Sequence, residues 1–546
     1  MTYHITTKEE LQAMSSDLNG YYILDNDIDL AGFTWVPVGG RVTGFRGTFN
    51  GGNHVISTFS YNLATGSSGG FFSYVYAATI QNVTFLNPVL TGGIIYQLGV
   101  LIGTASGGAV NLINCNVTGG SITCIGGGVG SSSIAGLIGN MQDGNISNCT
   151  ITNLNITATY DSGCLVGYVT PNKGNISISD CHIVGGSVTG VPDDDGDIGE
   201  LAGLVGICMG HVHSTSWITT IDGCSSSCEI INAGFECGGL VGYSRWCSIS
   251  DSYATGDLTS RVGFDGWFSG GFVGAADDGT IISNCYATGD VTGTWDIGGF
   301  VGWQDDTVGG MISKCYSEGD VFGIIDNSTG IYAIGGFAGW CSIVRNCYST
   351  GDVFSESSSV DTSFGIGGFV GSDGNYHTPY ISVVNCYSSG NIVVTGNDAM
   401  AVGGFVGSHD NGYIINSYSV GSVTINGTGY TEIGGFAGEL ASDYVVNCSW
   451  STDSSTYAIG YSDTFGTYIA TLTEKVYGTD EVDKTKFYNV ILKLPSHAVY
   501  DQGNANAWDF STPVWYEWST KYPLFISEGV VPPVVVSFKG YAFMIK

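Results

Sequence analysis

The segment Gly270–Gly293, GGFVGAADDGTIISNCYATGDVTG, returns with variable inserts through most of the chain. Its first box, Gly-Gly-Phe-Val-Gly, ends at Gly274. Counterparts end at Gly139, Gly167, Gly206 and Gly242 before it, and at Gly302, Gly339, Gly371, Gly407 and Gly438 after it. The spacing, about 28 to 39 residues, is that of a solenoid. A second box, Ile-x-Asn-Cys-Tyr-x-x-Gly-Asp-Val, follows each first box. Both are short apolar, β-branched or aromatic runs punctuated by glycine, without helical periodicity, so both predict strands. One such unit cannot bury its apolar side alone, so the units must stack.

Within a coil, glycines let neighbouring backbones pack where a side chain would clash. The Phe or Leu of the first box is expected inside. Strict alternation through Ile-x-Asn-Cys-Tyr would set Cys opposite Asn and Tyr. A bend at Asn, which tolerates left-handed geometry and whose amide can ladder between coils, would instead send Cys inward. The column Tyr253, Tyr286, Tyr316, Tyr348, Tyr387 and Tyr418 would then lie on a surface, and this bend is the favoured reading.

The two boxes in fixed order resemble the GLUG repeat of bacterial and archaeal surface proteins, well covered over residues 95 to 450. The segments YYILDNDIDLAGFTWVPVGG…FRGTFNGGNHVIS and WDFSTPVW…YPLF resemble the lead-in and closing segments of such domains. The resemblance implies a right-handed parallel β-helix and an adhesin-like role. The expected fold is therefore an all-β, right-handed parallel β-helix solenoid of about eleven coils, capped at both ends. Residues 1–60 form an N-terminal cap and the first coils, with a short helix after the capping-box spacing Thr7-Lys-Glu-Glu10. Residues 61–450 form the repeats, 451–527 a C-terminal capping segment, and 528–546 a linker and assembly tail. The longest inserts, Val191–Glu200, Val321–Ala333, Phe354–Gly365 and Thr395–Val402, are expected as loops along one side.

Composition limits the partners. The formal net charge is −33, and between Gly47 and Leu472 the only Lys or Arg residues are Lys173, Arg245, Arg261, Lys314 and Arg345. Nucleic acid is excluded as a partner, because phosphates need a cationic surface. No apolar run approaches a membrane span. Met1-Thr-Tyr-His-Ile5 shows neither a basic region nor an apolar core, so no signal peptide is read there. Of sixteen cysteines, Cys115, Cys149, Cys181, Cys224, Cys285, Cys315, Cys347, Cys386 and Cys448 share one box position. Ser252 and Ser417 replace cysteine there, which favours a ladder of buried thiols over obligatory pairs. The outliers Cys124, Cys164, Cys208, Cys228, Cys237, Cys247 and Cys341 are left open to pairing.

Three constellations bear on chemistry. Asp257, Asp290, Asp320 and Asp352 line the Gly-Asp-Val turn, and Asp277, Asp278, Asp305 and Asp306 follow the first box. Solvated turns absorb the mild repulsion of stacked carboxylates, about 1 kcal/mol in water. Oxygen-rich turns also suit calcium, so Asp277, Asp278, Asp305 and Asp306 are the candidate metal ligands, although no cofactor is required. The same four could serve glycoside hydrolysis, which uses two carboxylates about 5 to 10 Å apart. Tyr243, Trp246, Trp267, Trp295, Trp303 and Trp340 are the candidate glycan-binding aromatics, because flat rings stack on sugars as well as on one another.

Together these features predict a non-enzymatic attachment or structural protein at an extracellular, cell-surface or virion-surface location. It would display loops for a host-surface glycan or protein, as a viral tail fibre, spike or decoration protein or as a cell-surface adhesin. The absent leader motif favours the viral setting. Residues 528–546 would mediate homo-oligomer, virion or filament assembly. The alternative is a polysaccharide-degrading β-helix hydrolase.

Overall fold

In a computed structural model the chain is an all-β parallel solenoid of about eleven turns with almost no helix. The structure describes residues 2–450 apart from 64–65, 94, 126–131, 194–195, 211–216, 262–267, 306–308, 326–331, 358–363, 374–381, 398–400, 410–412, 429–431 and 441–443. Beyond 450 it describes only Ile459–Ser462, Thr471–Leu472, Trp515–Tyr516 and Leu524–Phe525. Most of the expected C-terminal cap, and all of the tail 528–546, lie outside the described residues. The chain divides into two compact units, residues 1–281 with 287–293, and residues 282–286 with 294–546.

In the first unit the capping box forms as expected. Thr7 Oγ1 accepts from the Glu10 N–H at 3.2 Å, and the Glu10 carboxylate accepts from the Thr7 N–H at 3.1 Å. These bonds start the helix Lys8–Gln12, whose Leu11 is buried with Met14 of the following turn. A regular coil is represented by the strands Glu236–Gly238, Val241–Arg245, Cys247–Ser250, Tyr253–Ala254 and Leu258–Ser260. Each pairs in parallel with its counterpart in the preceding coil. The box glycines are needed where backbones meet. A Cβ on Gly274 would lie 2.4 Å from Cys237 N and 2.7 Å from Gly242 O. The box Leu or Phe side chains, Leu137, Leu165, Leu204, Leu240 and Phe272, are fully buried.

In the second unit the same position holds Phe300, Phe337, Phe369, Phe405 and Phe436, which stack with ring centroids 4.8 to 5.0 Å apart. That is the spacing of hydrogen-bonded strands, so identical residues in register place identical rings face to face.

The bend at Asn is present in both units. Asn114, Asn148, Asp180 and Asp251 of the first, and Asn284, Lys314, Asn346, Asn385 and Asn416 of the second, all have φ between 49° and 57°. Gly223 takes the bend in its own coil at φ 63°. The amides ladder: Asn416 Nδ2 donates to Asn385 Oδ1 at 3.1 Å, and Asn385 Nδ2 to Asn346 Oδ1 at 3.0 Å. The next residue turns inward, and all sixteen cysteines are buried thiols.

Serine can replace cysteine because the position needs an atom that both accepts and donates. Cys149 Sγ accepts from the Cys115 N–H at 3.3 Å and donates to Ser147 O at 3.3 Å. Ser252 Oγ likewise accepts from the Cys224 N–H at 3.0 Å and donates to Ser250 O at 2.6 Å. The tyrosine column is a stacked ladder, Tyr286 to Tyr418, with centroids 4.8 to 5.0 Å apart. It departs from the surface expectation at its far end. Tyr253 is exposed, whereas Tyr387 and Tyr418 are fully buried.

Candidate functional site

The acidic turn column serves the backbone. Asp257 Oδ1 accepts from the Asp290 N–H at 2.9 Å in the first unit. In the second, Asp320 Oδ1 accepts from Asp352 N at 2.8 Å, and Asp352 Oδ1 from Asn391 N at 2.6 Å. Each carboxylate therefore closes the next coil's turn, and a charge-assisted bond of this kind offsets the repulsion between neighbours.

A second acidic line lies in the first unit. The pairings Ser162 with Leu201, Gly163 with Ala202 and Ala202 with Gly238 put Asp161, Glu200 and Glu236 at the same place in three consecutive coils. Each stands two residues before a first box. The adjoining strands pair Tyr168 with Ile207 and Ile207 with Tyr243. Gly242 lets the two sets of strands approach, since a Cβ there would lie 2.8 Å from Glu236 O and 3.3 Å from Glu200 Cβ.

Burial disfavours charge on these carboxyls. It holds the Asp161 carboxyl well above its usual range, assisted by a hydrogen bond to Glu200. Burial, then the neighbouring Glu200 charge, pushes Glu236 up to about 8. Burial, with Asp161 nearby, also raises the Tyr168 phenol. Near neutral pH Asp161 and Glu236 keep their protons, so these two can donate hydrogen bonds as well as accept them.

Tyr243 links this line to the candidate ligands Asp277 and Asp278. Its hydroxyl donates to Asp277 Oδ2 at 2.7 Å, and burial followed by that bond raises its pKa. Arg245 bonds Asp278 at 2.5 Å and lies 3.5 Å from Asp277. The structure thus brings Asp277 and Asp278 together around one of the few cations of the repeat region. Asp305 is half-buried in the second unit, and Asp306 lies outside the described residues. Among the described residues, no group of three or more His, Cys, Asp or Glu side chains is arranged to hold a metal ion.

Of the candidate aromatics, Trp246 closes a corner at φ 57°, with its backbone N–H donating to Asp278 O at 2.9 Å. Its half-buried ring covers Gly279, where a Cβ would lie 2.3 Å from the indole. Trp295 is half-buried at φ 73°. Trp303 and Trp340 pair in register in the second unit, both half-buried. Trp267 lies outside the described residues. The sequence reading missed Asp161 and Glu236 and took Glu200 only as the end of an insert. Aligning the boxes on their last glycine would have found all three, each six residues before Gly167, Gly206 or Gly242.

No described helix is long and apolar enough to cross a membrane. The GLUG motif matches residues 236–259 and 269–292. Halomucin of Haloquadratum walsbyi (strain DSM 16790 / HBSQ001) is 33% identical over 152 residues. That match covers 26% of this chain and spans only 2% of the relative's length. A Bacteroides ovatus structure provisionally assigned as an immunoglobulin A1 protease aligns with TM-score 0.38 and 21% identity, over 47% of this chain and 77% of its own. A structure named IgA1 Protease aligns with TM-score 0.31 and 15% identity, over 70% of this chain and 22% of its own. By its coordinates and its repeated boxes, the chain is a parallel β-solenoid that carries GLUG motifs.

Proposed function

We propose that the chain is a non-enzymatic, surface-exposed attachment protein that binds a glycan or host-surface protein along its solenoid. The observation that carries this reading is the pair Trp303 and Trp340, which stand in register one coil apart and are half-exposed. Two flat rings one coil apart match a sugar chain, whose faces stack on aromatics. The shared stretch with a protein named as a mucin favours a cell exterior over a virion. Binding of the full chain to a panel of polysaccharides tests this. Replacing both Trp303 and Trp340 by Ala should weaken the strongest interaction at least tenfold, with the circular dichroism spectrum unchanged. Equal binding by the double variant would overturn the assignment. Assembly through residues 528–546 is part of the proposal, and removing them should leave monomers.

A second reading, polysaccharide hydrolysis, is favoured by the acidic line. Neighbouring carboxyls, one of them pushed up by burial as Glu236 is, are what general acid–base cleavage uses. Reducing-end release that disappears in Glu200→Gln and Glu236→Gln, or in Asp278→Asn, would replace attachment by catalysis.

A further inference from the structure

The cysteines outside the thiol ladder are not placed at random. Cys164 and Cys228 both stand where the coils on either side carry glycine. Gly136 and Gly203 occupy Cys164's position in the adjoining coils, as the pairings of Ala135 with Gly163 and Gly163 with Ala202 show. Gly186 and Gly256 occupy that of Cys228, next to the pairings of Ser187 with Glu229 and Ile230 with Leu258. Glycine sits there because backbones crowd; a Cβ on Gly256 would lie 1.9 Å from Cys228 O. Two departures from glycine, 64 residues apart in sequence, bring their sulfurs to 3.4 Å in a fully buried spot. A second out-of-ladder pair, Cys208 and Cys247, has its sulfurs 3.0 Å apart, also buried.

The next coil shows how that second site is filled without cysteine. Ser244 and Thr280 take the two positions, with hydroxyl oxygens 3.4 Å apart and Thr280 donating to Ser244 O. A hydrogen bond therefore suffices where only polar contact is needed. Sulfur at both positions adds the capacity for a covalent link. Ladder thiols such as Cys347 accept the N–H of an adjoining coil, here that of Cys315 at 3.3 Å, and donate to the carbonyl two residues back. Cys247 also donates to the carbonyl two residues back, Arg245 O, at 3.3 Å, but its sulfur lies 3.0 Å from that of Cys208.

We propose that Cys164–Cys228 and Cys208–Cys247 form two disulfide bonds that join neighbouring coils of the first unit, while the other twelve cysteines stay reduced. The chemistry is exchange with a small-molecule disulfide. One protein thiolate attacks it and releases one small thiol, and the partner thiolate displaces the second. The two protein sulfurs are oxidised by two electrons, and the small disulfide is reduced to two thiols. Burial raises the Cys208 thiol well above its ordinary pKa, and contact with Cys228 does the same for Cys164. The links therefore close during folding, while the thiolates are still reachable.

The test uses the full chain, refolded in a buffer of reduced and oxidised glutathione, denatured with an alkylating agent and digested at acid pH. Mass spectrometry should find linked peptides for Cys164–Cys228 and Cys208–Cys247, each pair two hydrogens lighter, and alkyl groups on the remaining twelve. Sixteen alkylated cysteines, or links between ladder positions such as Cys115–Cys149, would overturn the proposal. The double variant Cys164→Gly, Cys228→Gly restores the repeat's own residues. It should fold and retain only the Cys208–Cys247 link; a newly paired ladder thiol in this variant would also count against the assignment. Because the redox buffer is defined, the result does not depend on where the protein resides. A chain that carries both links yet binds no glycan would sink the attachment reading alone.

Discussion

Replacing Glu236 by Gln should change how stability depends on pH in a way the structure specifies. In the folded chain this carboxyl is pushed from its ordinary 4.5 up to about 8, by burial and then by the charge of Glu200. A raised folded pKa contributes stability that is complete below about 4.5 and is lost as pH rises through about 8. At about 1.4 kcal/mol per pH unit, the gap sets a ceiling of roughly 5 kcal/mol. The site is half-buried and Glu200 lies beside it, so roughly 2 kcal/mol is the expected size after solvent screening. Gln stays neutral throughout. Urea unfolding of both proteins at pH 5, 7 and 9 should therefore give a variant that gains on the parent by roughly 2 kcal/mol between the first and last pH. Titrating groups away from this line are common to both and cancel in the difference. Parallel curves from pH 5 to 9, or a parent that gains on the variant as pH rises, would refute the reasoning.

Phe337→Ala removes a fully buried ring stacked on Phe300 at 4.9 Å and on Phe369 at 4.8 Å. A loss of about 3–5 kcal/mol is expected, read as a lower urea midpoint for the second unit. Asn385→Ala forces alanine to φ 57° and cuts the amide ladder on both sides. About 1–3 kcal/mol should be lost, whereas Asn385→Gly should recover part of it in the same assay. With Tyr243 and Arg245 bonded to Asp277 and Asp278, adding a chelator should leave the thermal midpoint where it was; a drop of several degrees, restored by calcium, would make these carboxylates a metal site.

The fold was legible because its determinants repeat. The box glycines, the interior Phe or Leu, the bend at Asn and the inward Cys recur often enough that a one-dimensional pattern reveals a three-dimensional stack. Even Ser252, standing where the repeat usually carries cysteine, could be read as evidence against pairing. The reason for that exchange became visible only when the Ser252 hydroxyl was seen both accepting and donating. The site was less legible. Trp303 and Trp340 share a box position, so their register followed from the sequence. The fate of Asp278 did not, because its partner Arg245 comes from the preceding coil, 33 residues earlier. Asp161, Glu200 and Glu236 were hidden among inserts of unequal length, and only alignment on the following glycine brings them into one line.

The thiol or hydroxyl after each bend bonds to backbone, its own and that of an adjoining coil. Backbone is chemically the same in every repeat, so no coil requires a particular neighbour at this position. Unequal recombination within the gene could add or delete a whole coil without stranding a matched partner. Copy number, and with it the reach of the molecule, is therefore free to drift while the thread between copies stays intact.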